Sequence, residues 1–108
     1  MISELKSNIE KALDEIRPFL QNDGGDISLI SIEDDKIVRE NTAELLELSD
    51  YEVITAANGE IGAAAAKKHL PDIIICDIMM PKLDGYEVLE ILSSDVTTKH
   101  IPFIFLSA

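Results

Sequence analysis

The chain has 108 residues, room for one domain and too little for two independent cores. Nine Lys+Arg against 21 Asp+Glu leave a net charge of −12, which excludes a nucleic-acid backbone or an anionic membrane surface as partner, since both need a basic face. Hydrophobic residues at 46% exclude a disordered acidic tail, and no apolar run approaches the roughly 18 residues of a membrane span.

The start, MISELKSNIEK, carries acids early and lacks the apolar centre of a secretory signal, so the expected location is cytoplasmic. Residues 2–20 set Ile2, Leu5, Ile9, Leu13, Ile16 and Leu20 at steps of three and four, one apolar stripe of an amphipathic helix that Pro18 kinks or ends. Asn22-Asp23-Gly24-Gly25-Asp26 reads as a turn. Ile27 to Ile32 predicts a short buried strand that runs into Glu33-Asp34-Asp35. A helix follows over 37–48, with Ile37, Val38, Leu45, Leu46 and Leu48 as core candidates. Tyr51 to Ala56 is a β-branched strand, and Asn58-Gly59 a turn.

The next helix, 61–69, has small side chains at Ala63 to Ala66 that allow close packing on a sheet, and Pro71 stops it. Ile73-Ile74-Ile75-Cys76 is the most apolar strand and leads straight to Asp77. Residues 79–85 form a loop, 86–92 a helix with Val88, Leu89, Ile91 and Leu92 inward, and 102–107 a last strand. Strands alternating with helices imply right-handed crossovers and a parallel sheet covered on both faces.

Ligands of an open parallel sheet bind beyond the carboxyl ends of its strands. Glu33/Asp34, Asp77 and Ser107 end three of the four predicted strands there. Packing does not explain an acid directly after Ile-Ile-Ile-Cys. Carboxylates gathered on one rim raise each other's pKa and attract a divalent cation. Oxygen-only donors favour Mg²⁺ or Ca²⁺ over zinc, and Mg²⁺ suits better because it needs only one or two carboxylates plus a phosphate. Taken alone, Glu33-Asp34-Asp35 fits a solvated helix N-terminus equally well; Asp77 tips the reading toward a metal. Met79 and Met80 fit packing, His69 and His100 a surface, and Cys76 a buried small hydrophobe.

The pieces Ile-Glu-Asp-Asp, Ala-Asn-Gly-Glu, Pro-Asp-Ile-Ile-Ile-Cys-Asp-Ile-Met-Met-Pro-Lys-Leu-Asp-Gly-Tyr-Glu and Ile-Pro-Phe-Ile-Phe-Leu-Ser-Ala occur in that order. Together they resemble the receiver domain of two-component response regulators, over residues from about 28 to 108. The resemblance implies a flavodoxin-like α/β three-layer sandwich, with four parallel strands in the order 2-1-3-4 and an extra N-terminal helix. It implies Asp77 as phosphoacceptor for a histidine kinase, Glu33 and Asp34 as holders of Mg²⁺, the backbone carbonyl of Met79 as a further metal ligand, and Ser107 as the hydroxyl that binds the phosphoryl group. The family pattern continues with a fifth strand bearing a phosphate-pairing lysine and with a last helix. This sequence stops at Ala108, and Lys82 does not match that lysine. The expectation is therefore a receiver truncated after its fourth strand, not an enzyme, and impaired in phosphotransfer.

Residues 12–26, Ala-Leu-Asp-Glu-Ile-Arg-Pro-Phe-Leu-Gln-Asn-Asp-Gly-Gly-Asp, resemble the opening helix and turn of the NifU-type iron–sulfur scaffold domain. That family binds its cluster through a later Cys-x-x-Cys; with Cys76 as its one cysteine this chain is expected to hold no iron–sulfur cluster. The expected organisation is a single domain, 1–108, with a NifU-like helix and turn over 1–26 and the receiver-like part over 27–108. Two functional readings stand. The join of two families favours a recombined or engineered scaffold that keeps an acidic Mg²⁺ site without efficient signalling. The intact acidic site favours a phosphoaccepting receiver. Two structural expectations accompany them: helix 2–20 packs on the sheet beside helix 37–48, through Ile9, Leu13 and Ile16, and the uncharged edge of strand 102–107 pairs two copies into a homodimer.

Overall fold

The computed structural model describes residues 2–16 and 27–106. Its elements are α1 (Ile2–Ile16), β1 (Ile27–Ile32), α2 (Lys36–Leu48), β2 (Tyr51–Ala56), α3 (Gly59–His69), β3 (Ile73–Asp77), α4 (Gly85–Ser93) and β4 (Phe103–Leu106). Pro18, the 22–26 turn and Ser107 lie outside the described residues.

The strands form one parallel sheet in the order β2-β1-β3-β4, as expected. Alternation along the strands sorts the core into two layers. Ile30, Ile32, Ile74 and Cys76 face α3 and α4, where they meet Ala63, Ala66, Val88 and Leu92. Leu29, Ile73 and Ile75 face the other way, onto Leu46 of α2 and Ile9 and Leu13 of α1. Ile104 and Leu106 of β4 pack against this second cluster. Helix α1 therefore lies beside α2 on the β3–β4 half of the sheet through Ile9 and Leu13; Ile16 is outside the side chains described.

Two core candidates are corrected. Ile37 is 70% and Leu48 76% exposed. The inward stripe of α2 runs instead through Val38, Thr42, Leu45 and Leu46, so that Ile37, one residue from Val38, is rotated about 100° away from the sheet. The Asn58-Gly59 turn is a helix start: Asn58 caps α3 by accepting the Ile61 N–H at 2.8 Å, which carries the helix back to Gly59. Helix α4 likewise begins early, at Gly85, under a reciprocal cap between Asp84 and Glu87.

Candidate metal centre

Ile32 at the end of β1 is paired with Cys76 of β3 and with Ala56 of β2. The next residues, Glu33 and Asp77, thus leave two adjacent strands at the same level. The Glu33 N–H extends the ladder by donating to Ala56 O at 3.0 Å. Carboxylate oxygens of Glu33, Asp34 and Asp77 all lie within 4.8 Å of one another. Glu33 and Asp77 are half-buried and Asp34 is exposed.

The loop that carries Glu33 and Asp34 is tied at every residue. Glu33 Oε1 accepts the Asp35 N–H at 3.0 Å. Asp35 Oδ1 accepts the N–H groups of Ile37 (2.9 Å) and Val38 (3.1 Å), capping α2. Arg39 Nη1 donates to the carbonyls of Glu33 (3.0 Å) and Asp34 (3.4 Å). The three consecutive acids have thus divided the work: Asp35 serves the helix, and Glu33 and Asp34 serve the rim.

On the other side, Asp77 Oδ1 accepts the Ile78 N–H at 2.9 Å. The Gly85 N–H donates to Ile78 O at 2.8 Å and brings the start of α4 against the end of β3. A Cβ on Gly85 would stand 2.5 Å from Asp77 O and 3.0 Å from Ile78 Cα, so only glycine allows this approach.

The electrostatics follow from this crowding. Burial pushes the Glu33 carboxyl up from 4.5 to about 7; the charges of Asp77 and Asp34 add to it, and the Asp35 N–H works against it. Burial also raises Asp77, helped by the Asp34 charge and opposed by the Ile78 N–H. Among the described residues no lysine or arginine nitrogen comes within ion-pair distance of these three carboxylates. Cys76, buried beneath them, is pushed up to about 12 by burial and by the neighbouring acids, and its thiol donates to Asp77 O at 3.1 Å. Three hard oxygen donors carrying uncompensated negative charge suit a divalent cation that prefers oxygen.

Of the residues singled out from sequence, Glu33, Asp34 and Asp77 are therefore brought together. Met79 lies in the β3–α4 loop with its side chain 81% exposed, so packing does not hold it there; Met80 is the buried one of the pair. Ser107 is outside the described residues, and its predecessor Leu106 is the register partner of Asp77. Lys82 is exposed in the same loop, with a left-handed φ of 69°. Sequence reasoning passed over Arg39 and Gly85. The signal for Arg39 was its place one helical turn after the capping Asp35; the signal for Gly85 was its place directly after the helix cap Asp84.

A family model described as the response regulator receiver domain matches residues 29–108. The chain belongs to that family. It is 41% identical over 83 residues to response regulator Rre1 of Synechocystis, covering 76% of this chain and 36% of that protein. It is 36% identical over 81 residues to the polar-differentiation response regulator DivK of Brucella anthropi, covering 75% of this chain and 66% of the relative. Among solved structures, the N-terminal domain of a response regulator receiver protein from Methanoculleus marisnigri matches with a TM-score of 0.72 and 33% identity, over 75% of this chain and 66% of that one. A NifU-like family model matches residues 9–39, overlapping the receiver match across β1 and the start of α2. Receiver domains bind Mg²⁺, act with histidine kinases in two-component systems, and are in general not enzymes. Among the described residues no helix of this receiver is long and apolar enough to cross a membrane.

Proposed function

We propose that the chain is a phosphoaccepting receiver module: Asp77 takes the phosphoryl group, and Glu33, Asp34, Asp77 and the Met79 carbonyl hold Mg²⁺. The observation that supports this reading is the convergence of three oxygen donors at the ends of β1 and β3, none of them ion-paired to a lysine or arginine among the described residues. In the reaction an Asp77 carboxylate oxygen attacks the phosphorus of a phosphohistidine on a histidine kinase. The P–N bond breaks, its electron pair stays on the imidazole nitrogen, and Asp77 becomes an acyl phosphate. Mg²⁺ held by these residues would supply neutralisation of the charge that otherwise keeps a carboxylate from approaching a phosphoryl group. Ile78 N–H orients Asp77 by binding its Oδ1, and Ser107, one residue past the Leu106 partner of Asp77, is the hydroxyl that receives the phosphoryl oxygens. On this reading the chain is the substrate of a kinase in the cytoplasm and carries no iron–sulfur cluster.

A second reading starts from the NifU-like match, which covers residues 9–39 alone: a recombined scaffold with a NifU-like segment over 1–26, a receiver part over 27–108, and no efficient signalling. Beryllofluoride with Mg²⁺, followed by amide NMR, separates the two. A response that saturates at one site and is centred on Asp77, Ile78 and Ser107 supports the receiver. A spectrum that does not change supports the scaffold.

A further inference from the structure

Arg39 sits one turn inside α2, yet its guanidinium turns back out of the helix. Its Nη1 donates to Glu33 O at 3.0 Å and to Asp34 O at 3.4 Å, and its backbone N–H donates to Asp35 O at 2.8 Å. One residue thus holds three carbonyls in succession, those of the two acidic residues and of the helix cap. The bond to Glu33 O is part-buried, so water competes poorly for it, while the longer bond to Asp34 O is exposed. The choice of acceptor matters as well. The guanidinium binds the carbonyls and leaves the carboxylates without an ion pair among the described residues. With its N–H bound to Ala56 O and its carbonyl to Arg39, Glu33 has the peptide planes on both sides of its Cα held, which fixes the direction in which its Cα–Cβ bond leaves the loop.

We propose that Arg39 is a positioning residue for the acidic centre, orienting Glu33 and Asp34 toward Asp77 while leaving all three carboxylates available to a cation. This rests on the reading of those carboxylates as a Mg²⁺ site. Positioning and simple charge predict opposite signs. A positive charge beside a cation site repels the cation, so removing it would tighten Mg²⁺ binding if charge were all that Arg39 contributed. Loss of a group that orients metal ligands weakens binding by about 10- to 100-fold.

The test is Mg²⁺ titration of the wild type, R39Q and R39K by calorimetry, together with amide hydrogen exchange of the metal-free proteins. R39Q is expected to bind Mg²⁺ about tenfold more weakly despite its lost positive charge. Its Asp35 and Glu33 amides should exchange faster while those of β3 stay protected. R39K, which keeps charge and donors but not the planar fork, should fall between the two. Equal or tighter Mg²⁺ binding in R39Q overturns the proposal, and so does wild-type affinity in R39K should R39Q fail to fold. A wild type that shows no saturable Mg²⁺ response overturns the metal reading itself, and is told apart because no variant is needed to see it.

Discussion

Glu33 and Asp77 stand side by side because their predecessors, Ile32 and Cys76, are register partners in parallel strands. Parallel pairing delivers both carboxyl ends to one rim, where an antiparallel pair would set the end of one strand against the start of the other. The two acids then share a half-buried rim with Asp34, all three offering oxygens within 4.8 Å of one another.

That crowding has a pH signature. Glu33 is raised from 4.5 to about 7 in the folded protein, so the folded state binds its proton more tightly than the unfolded chain. The stability it contributes is present in full below about 4.5 and is lost as pH rises through about 7. E33Q cannot titrate. In chelator, E33Q is expected to melt above the wild type beyond pH 7, with the gap narrowing down to pH 4.5; solvent screening at this half-exposed group limits the gap to about 1 kcal/mol. Thermal unfolding of both proteins across that range checks it, and parallel pH profiles would refute it.

The acids at strand ends were legible in the sequence because β1 and β3 carry mostly apolar residues on both faces, so a carboxylate that follows them has no place in the core. Strand order was legible only through the family's motifs, since nothing local says which strand lies between which. The helix faces were less legible. Ile37 and Leu48 look like core by residue type, but the stripe through Val38, Thr42 and Leu46 had already taken the sheet-facing side, with a threonine in its middle. Arg39 was hidden for a different reason: an arginine near a helix start reads as surface charge until a loop carbonyl is seen to receive it.

Gly85→Ala tests how firmly α4 holds Asp77. The added Cβ meets backbone, Asp77 O at 2.5 Å and Ile78 Cα at 3.0 Å, so no side-chain rotation relieves it. A destabilisation of about 1–3 kcal/mol is expected from such overpacking. On the reading of Asp77 as a Mg²⁺ ligand, Mg²⁺ binding should weaken in parallel. Denaturant unfolding and calorimetry read the two effects separately. Lost stability with wild-type Mg²⁺ affinity would mean that α4 yields and β3 does not.

Helix α1 is part of the core rather than an appendage, because Leu13 is 1% and Ile9 3% exposed against β3 and α2. Leu13→Ala removes a fully buried side chain between α1 and the sheet. The expected cost is about 2–4 kcal/mol, within the range for such cavities, and for a domain of this size each kcal/mol lowers Tm by about 4–8 °C. A Tm within a degree of the wild type would show that α1 is held only loosely.

Strand β4 ends the sheet, and among the described residues it is paired only with β3. Its residues Phe103, Ile104, Phe105 and Leu106 carry no charge, and Phe103 and Phe105 meet edge-to-face with ring centroids 5.2 Å apart. Within Phe103–Leu106 this edge carries none of the lysines, prolines or bulges that keep strands from pairing with other chains, and Pro102 guards its start alone. The proposal is that a second copy pairs with it. Light scattering should then show the mass doubling as concentration rises, and the amides of β4 should gain protection from hydrogen exchange in the same range while those of β2, at the opposite edge, do not. The two readouts together exclude association through the acidic helix surfaces, which would raise the mass without protecting β4. A constant monomer mass, or a dimer that leaves the β4 amides unprotected, would rule this edge out as the interface.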